Sequence, residues 1–87
     1  IALLIDASIA LDQVLSTIRR SAGELLQDVW LFDVYAGQGI AAGQRSLAFG
    51  LIWQHPERTL EDSEIKDGME RVVAALADQH QAQLRAS

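Results

Sequence analysis

The sequence lacks several features that mark particular classes of protein. It contains no cysteine, which excludes a disulfide framework, a thiolate zinc site and a cysteine nucleophile. It also contains no asparagine, so it has no N-glycosylation sequon. Its apolar runs are only a few residues long, far below the roughly 20 residues that a membrane-spanning helix needs. We therefore expect a cytoplasmic protein with no membrane partner.

Basic charge is also scarce. Twelve Asp and Glu residues against seven Lys and Arg give a formal net charge of −5, whereas free-standing nucleic-acid-binding domains usually carry a basic excess. The apolar content of 49% is sufficient for a hydrophobic core, and 87 residues are enough for one small domain only. Because Ile1 lies inside an apolar run and is not preceded by Met, we interpret residues 1–87 as a single domain of a longer chain, with a truncated first strand.

Hydrophobic periodicity predicts two helices and four strands. The predicted elements are a strand at 1–5, a helix at about 9–21, strands at 29–35 and 46–53, a helix at about 61–79 and a short strand at 83–85. Gly37, Gly39 and Gly43 follow the second strand, and we interpret them as a hairpin loop because a phosphate-binding loop would lead into a helix. Gly68 lies inside the second predicted helix, where glycine costs about 1 kcal/mol relative to alanine.

The order β-α-β-β-α-β predicts an α+β, ferredoxin-like sandwich, in which a four-stranded antiparallel sheet carries both helices on one face. The other face of the sheet is then open, and alternation along each strand sorts the side chains between the two faces. Asp33 determines which side of the second strand faces away from the helices, because burying a lone carboxylate would cost several kcal/mol. The helix side receives Ile1, Leu3, Ile5, Phe32, Val34, Leu47, Phe49, Leu51 and Trp53. The open face receives Ala2, Leu4, Leu31, Asp33, Tyr35, Ser46, Ala48, Gly50 and Ile52.

No pattern indicates a catalytic or metal site. His55 and His80 are far apart in sequence, and neither has a metal-ligand neighbour at i+3 or i+4. The acidic residues Glu61, Asp62 and Glu64 lie in the first turn of a predicted helix, where the helix dipole favours carboxylates. We therefore expect no catalytic residue, metal or cofactor in this domain.

The predicted open face offers a different chemistry. An exposed Tyr35 can stack on a nucleic-acid base, and Asp33 on the same face can accept hydrogen bonds from base donors. The alternative is that Tyr35 covers apolar sheet surface while Asp33 pairs with an arginine such as Arg45. The spacing alone leaves both interpretations open.

Residues 28–60 closely resemble a known family. Three strings carry the resemblance: LFDVY at 31–35, GQRSLAF at 43–49 and RTL at 58–60. They are similar to the ferredoxin-fold anticodon-binding domain that ends the beta subunit of bacterial phenylalanyl-tRNA synthetase. The resemblance implies a non-catalytic module that holds the anticodon stem-loop of phenylalanine tRNA. It also implies a parent ligase that uses ATP and magnesium and joins the beta subunit to an alpha subunit in a heterotetramer.

The resemblance implies a set of RNA-binding residues as well. Tyr35 would stack on an anticodon base, Asp33 and Ser46 would hydrogen-bond to base edges, and Ala2 would allow close approach. Arg45 is assigned to the same tRNA-binding set.

The sequence departs from the family at four positions on or near this face. The family often has arginine at position 30, proline at 42, lysine at 44 and a basic or polar residue at 50, where this chain has Trp30, Ala42, Gln44 and Gly50. Each change removes charge or stiffness, so we expect weak RNA binding by the 87-residue chain alone.

Two other functions stay open. The first is a regulatory domain of the same element order that binds an amino acid, which would need glycines at the turn where Asp6, Ala7 and Ser8 stand. The second is a structural or protein-interaction domain whose sheet face binds no RNA.

Overall fold

The computed structural model describes residues 1–84, and the strands in this part form one antiparallel sheet in the order β2-β3-β1-β4. The elements are β1 Ala2–Asp6, α1 Leu11–Ala22, β2 Leu26–Tyr35, β3 Gln44–Trp53, α2 Asp62–His80 and β4 Gln83–Leu84. The predicted ferredoxin-like fold is therefore confirmed. β4 pairs with β1, and Arg85, which was predicted to extend it, lies outside the described residues.

Local interactions explain where the helices begin and end. α1 ends where Gly23 takes a φ of +92°, a conformation that glycine adopts without the usual steric cost. At the start of α2 the Glu64 carboxylate accepts a hydrogen bond from the Glu61 backbone N–H at 3.2 Å. α2 ends at Gln81, whose φ of 56° and ψ of 28° are left-handed. Neither helix in this described part has the length and apolar character that a bilayer crossing requires.

The hydrophobic core lies between the sheet and the two helices. Phe49 is its largest fully buried side chain. Seven aliphatic side chains larger than alanine also have almost no exposed surface: Leu3, Ile5, Leu47, Val14, Ile18, Val72 and Leu76. Four of these eight residues come from alternate positions of β1 and β3, which confirms the predicted helix side of both strands.

Trp53 explains why α2 contains a glycine. The Trp53 indole N–H donates to the backbone oxygen of Ala22 at 3.1 Å. Its ring lies so close to α2 that a Cβ added to Gly68 would be 3.0 Å from Cε2. The helix accepts a residue of poor propensity at this position because the indole occupies the space of a side chain.

β2 departs from the predicted alternation. Leu31 pairs with Phe49 on the helix side, whereas Asp33 pairs with Ala48 on the open face. The extra residue between these pairs is Phe32, which is 64% exposed. A β-bulge inserts one residue into one strand and so shifts the phase of its alternation. The predictions that Leu31 lies on the open face and that Phe32 lies under the helices are therefore wrong.

Candidate nucleic-acid interface

β3 organises the open face of the sheet because it lies between β2 and β1. Its odd-numbered apolar residues point into the core, so the even-numbered positions face away from the helices. Cross-strand pairing places residues of both neighbouring strands beside them. Two adjacent rows result, Tyr35-Ser46-Leu4 and Asp33-Ala48-Ala2. The structure thus brings together Ala2, Asp33, Tyr35 and Ser46, which are four of the five predicted site residues.

Tyr35 ends β2 and has a defined orientation. Its hydroxyl donates a hydrogen bond to the backbone oxygen of Gln38 at 2.7 Å. The loop can turn back to make this bond because Gly37 and Gly39 both have positive φ. Tyr35 is nevertheless 40% exposed. An aromatic ring is therefore held at the edge of the open face with part of its surface accessible.

Ser46 differs from the expectation for a residue on an open face, since it is only 4% exposed. It lies in the middle strand with Tyr35 on one side and Leu4 on the other. Side chains directly opposite each other in antiparallel strands are close enough to touch, and we attribute the burial to these two neighbours. Alternation predicts the face of a residue but not how far its neighbours cover it.

A shallow area lies beside this row. Ala48 and Ala2 are paired with each other, and Asp33 is paired with Ala48 from the other side. Both alanines are partly exposed, and the Asp33 carboxylate is exposed. A flat group can approach the sheet here, next to a hydrogen-bond acceptor.

Arg45 is the predicted site residue that the structure places elsewhere. It pairs with Ile5, a core residue, and so lies on the helix side of β3. Its guanidinium donates to the backbone oxygen of Ile9 at 2.8 Å, in the turn before α1. The suggested Asp33–Arg45 ion pair is therefore wrong, because the two side chains lie on opposite faces of the sheet. A contact between Arg45 and RNA on the open face stays a prediction that this geometry does not favour.

Trp30 is a prominent side chain of the open face that the sequence reasoning treated only as a departure from the family. It pairs with Gly50 across the β2–β3 ladder and is 42% exposed. A Cβ added to Gly50 would lie 2.3 Å from Trp30 Cζ2, so the benzo ring lies directly over the glycine. No sequence signal marks this contact, because it depends on the register of β2 against β3. Of the other two departures, Ala42 lies in the hairpin loop and Gln44 begins β3.

The open face carries negative charge. Asp28 and Asp33 pair with its outward-facing residues Ile52 and Ala48. Within residues 1–84 no lysine or arginine occupies an open-face strand position, because Arg45 is the only cationic residue of the strands and lies on the helix side. Favourable contacts with a nucleic acid must therefore come mainly from stacking and base-edge hydrogen bonds rather than from phosphates.

The histidines have local structural contacts. His55 Nδ1 accepts a hydrogen bond from the Glu57 N–H at 3.0 Å, inside the turn after β3. His80 Nε2 lies 2.8 Å from the Thr17 hydroxyl and links the two helices. In the part of the chain that the structure describes, no three His, Cys, Asp or Glu side chains are grouped in a way that could hold a metal ion.

The turn after β1 is the place where an amino-acid-binding domain would need an accessible backbone. Here the Asp6 carboxylate accepts hydrogen bonds from the Ser8 hydroxyl at 2.6 Å and from the Ser8 N–H at 2.8 Å. These bonds, the hydroxyl one first, lower the pKa of Asp6 below its usual value. The Ser8 N–H and hydroxyl are therefore bonded within the turn.

Comparisons with known proteins agree with this description of the fold. Residues 1–85 match the family described as "ferredoxin-fold anticodon binding domain". Relatives named phenylalanine-tRNA ligase beta subunit occur in Acinetobacter baylyi, 54% identical over all 87 residues and 11% of that protein, and in Psychrobacter arcticus, with the same identity and coverage. The relative of that name from Synechococcus sp. is 48% identical over 98% of this chain and 10% of its own length. The chain thus spans about a tenth of the relatives that it matches.

Proposed function

We propose, from the premise that this chain belongs to the ferredoxin-fold anticodon-binding domain family, that it is the tRNA anticodon-binding module of a phenylalanine-tRNA ligase beta subunit. The observation that carries the proposal is the meeting of Tyr35, Asp33, Ser46 and Ala2 on the open sheet face. The module positions phenylalanine tRNA and does no chemistry itself.

The same proposal extends to the parent protein. The remainder of the beta subunit and an alpha subunit form a cytoplasmic heterotetramer with it and attach phenylalanine to the tRNA, using ATP and magnesium at a site outside this domain. Support for this extension comes from the names of relatives of which this chain spans 11%.

Recognition of the anticodon begins with Tyr35. Its ring is oriented before binding by the hydrogen bond to Gln38, so little side-chain freedom is lost when a base stacks on it. The Asp33 carboxylate accepts a hydrogen bond from an amino or imino group of a base edge. Ala2 and Ala48 leave room for that base to lie close to the sheet. The Ser46 hydroxyl forms a hydrogen bond with a base edge once the base has displaced the neighbouring side chains that bury it.

Because the open face is acidic, the module itself attracts phosphates only weakly. Neighbouring parts of the ligase supply the attraction to phosphates, and the module contributes a small number of shaped contacts that depend on base identity. The 87-residue chain alone therefore binds an anticodon stem-loop weakly.

Titration of the chain with the anticodon stem-loop of phenylalanine tRNA at fixed salt tests the proposal. Tyr35→Ala should weaken binding by about 1 to 3 kcal/mol, the range for a base–aromatic stack. Tyr35→Phe is the comparison variant: it keeps the ring and should retain most of the affinity, losing only the part that the hydrogen bond to Gln38 supplies by orienting the ring. The proposal is contradicted if the wild-type chain shows no saturable binding, or binds a hairpin with an altered anticodon equally well.

Neither alternative function has a supporting observation in residues 1–84. An amino-acid-binding domain would require free backbone N–H groups at the turn after β1, and there the Ser8 N–H is already bonded to the Asp6 carboxylate. Saturable heat on titration with free amino acids would favour it nonetheless. A purely structural domain would show chemical-shift changes with partner chains and none with RNA.

A further inference from the structure

We propose that Trp30 is a second base-stacking residue on the open face, and that it contacts a loop nucleotide other than the one stacked on Tyr35. This inference rests on the proposed function, because it requires that the open face binds RNA.

The seating of Trp30 on the sheet is the first argument. Three atoms of its benzo ring would lie 2.3 to 2.8 Å from a Cβ on Gly50, so the ring rests on the backbone of β3 in the place of a side chain. One side of the ring is covered in this way, and the exposure of 42% belongs to the remaining surface. The ring is thus supported from below and accessible from solvent, as a stacking contact requires.

The position of Trp30 relative to the proposed site is the second argument. Tyr35 pairs with Ser46 and Trp30 pairs with Gly50. Ser46 and Gly50 are four positions apart on β3, which places these two pairs about 13 Å apart along the strand. Ala48 lies midway, with Asp33 beside it. The two aromatic rings therefore border the shallow area into which the proposed function places a base.

The charge of the face is the third argument. Asp28 and Asp33 repel phosphates, and among residues 1–84 no strand residue on this face attracts them. Stacking needs only a π-face and tolerates any base. A second aromatic ring is consequently a type of contact that can strengthen RNA binding on an acidic face without adding charge.

The two tryptophans lie in different environments, so the fluorescence of Trp30 can be isolated by substituting Trp53. Trp53 packs against the core, and its indole N–H donates to Ala22. Trp53→Phe therefore leaves Trp30 as the sole tryptophan of the 87-residue sequence. In this variant we expect the fluorescence of Trp30 to be quenched as the anticodon stem-loop saturates the chain.

The affinity test uses four variants of the 87-residue chain at fixed salt. Trp30→Ala should weaken binding of the stem-loop about tenfold, within the range for a base–aromatic stack, while Trp30→Phe should retain most of the affinity. Gly50→Ala should also weaken binding, because its methyl group displaces the ring from its seat. In the Trp30→Ala background, Gly50→Ala should have no further effect. Circular dichroism confirms that each variant is folded at the temperature of the titration.

Abasic substitution in the RNA identifies the nucleotide. Removing the base that stacks on Trp30 should weaken binding to the wild type and leave binding to Trp30→Ala unchanged, and this base should differ from the one coupled in the same way to Tyr35. The inference is overturned if Trp30→Ala and Gly50→Ala both bind with wild-type affinity while Tyr35→Ala binds weakly, a result that leaves the proposed function intact. It is likewise overturned if saturating RNA does not change Trp30 fluorescence. Absence of any wild-type binding contradicts the proposed function itself.

Discussion

Gly68 and Trp53 show how one residue's conformational penalty is linked to another residue's packing. Alanine at position 68 would improve helix propensity by about 1 kcal/mol. However, its methyl group would lie 3.0 to 3.1 Å from three atoms of the Trp53 indole. The indole is held by its hydrogen bond to Ala22 and cannot easily move away.

We therefore expect Gly68→Ala to lower the free energy of unfolding by about 1 kcal/mol, since overpacking costs about 1 to 3 kcal/mol and exceeds the gain in propensity. In the Trp53→Phe background, which lacks the indole atoms nearest to Gly68, the same substitution should instead stabilise the chain. Urea denaturation of the four proteins measures both effects. An equal change in the two backgrounds would show that the indole is not the cause.

On the open face, the sequence predicts the position of some residues correctly and the burial of others wrongly. Strand alternation placed Asp33 and Tyr35 correctly, because a carboxylate that cannot be buried alone settles the choice of face. The same reasoning gave no indication that Ser46 is covered by its neighbours. Arg45, assigned to the same tRNA-binding set as Ser46, lies on the opposite face of the sheet, because adjacent residues of a strand point to opposite faces.

At the level of elements, the link between the turn after β3 and the start of α2 depends on Glu64. The Arg58 guanidinium donates to both carboxylate oxygens of Glu64, at 2.8 and 3.0 Å. This pair lowers the pKa of Glu64 below its usual value, and the Glu61 N–H acts in the same direction. A carboxyl group whose pKa is depressed in the folded state stabilises that state above its unfolded pKa, and the stabilisation is lost as the pH falls through the folded pKa.

Glu64→Gln should therefore lower the urea midpoint at neutral pH, and the difference from wild type should shrink as the pH falls below the usual carboxyl range. The amide retains an oxygen for the Glu61 N–H, so the substitution mainly removes the charge. Arg58→Gln is the matched control and should flatten the pH dependence in the same way. A difference between wild type and Glu64→Gln that is equal in neutral and strongly acidic solution would contradict the assignment.

Most of the elements could be predicted from the sequence, because each has a strong periodic pattern and a local stop signal. The helix boundaries differ by one or two residues from those predicted, and Gly23 ends α1 as expected. The bulge at Phe32 could not be predicted, since no glycine or proline marks it and its cause lies in the pairing with β3. The seat of Trp30 on Gly50 also depends on register, which is fixed only when both strands are aligned.

At the level of the whole molecule, the distribution of charge determines how RNA binding should respond to salt. The net charge is −5, and in residues 1–84 the open face has carboxylates but no cationic strand residue. Each phosphate neutralised on a single strand contributes about −0.7 to the slope of log K against log salt concentration. A module that binds through stacking neutralises few phosphates.

We therefore expect the slope for the anticodon stem-loop to be shallower than about −1, corresponding to one phosphate contact or fewer. Fluorescence titrations at several salt concentrations measure it. Arg19 and Arg20 lie exposed in the last turn of α1, away from the open face, so replacing both with glutamine should leave the slope unchanged. A slope of about −3 or steeper would mean that several cationic residues contact phosphates. In that case the RNA would have to lie on the helix side of the sheet, where the arginine and lysine residues of the described chain are found.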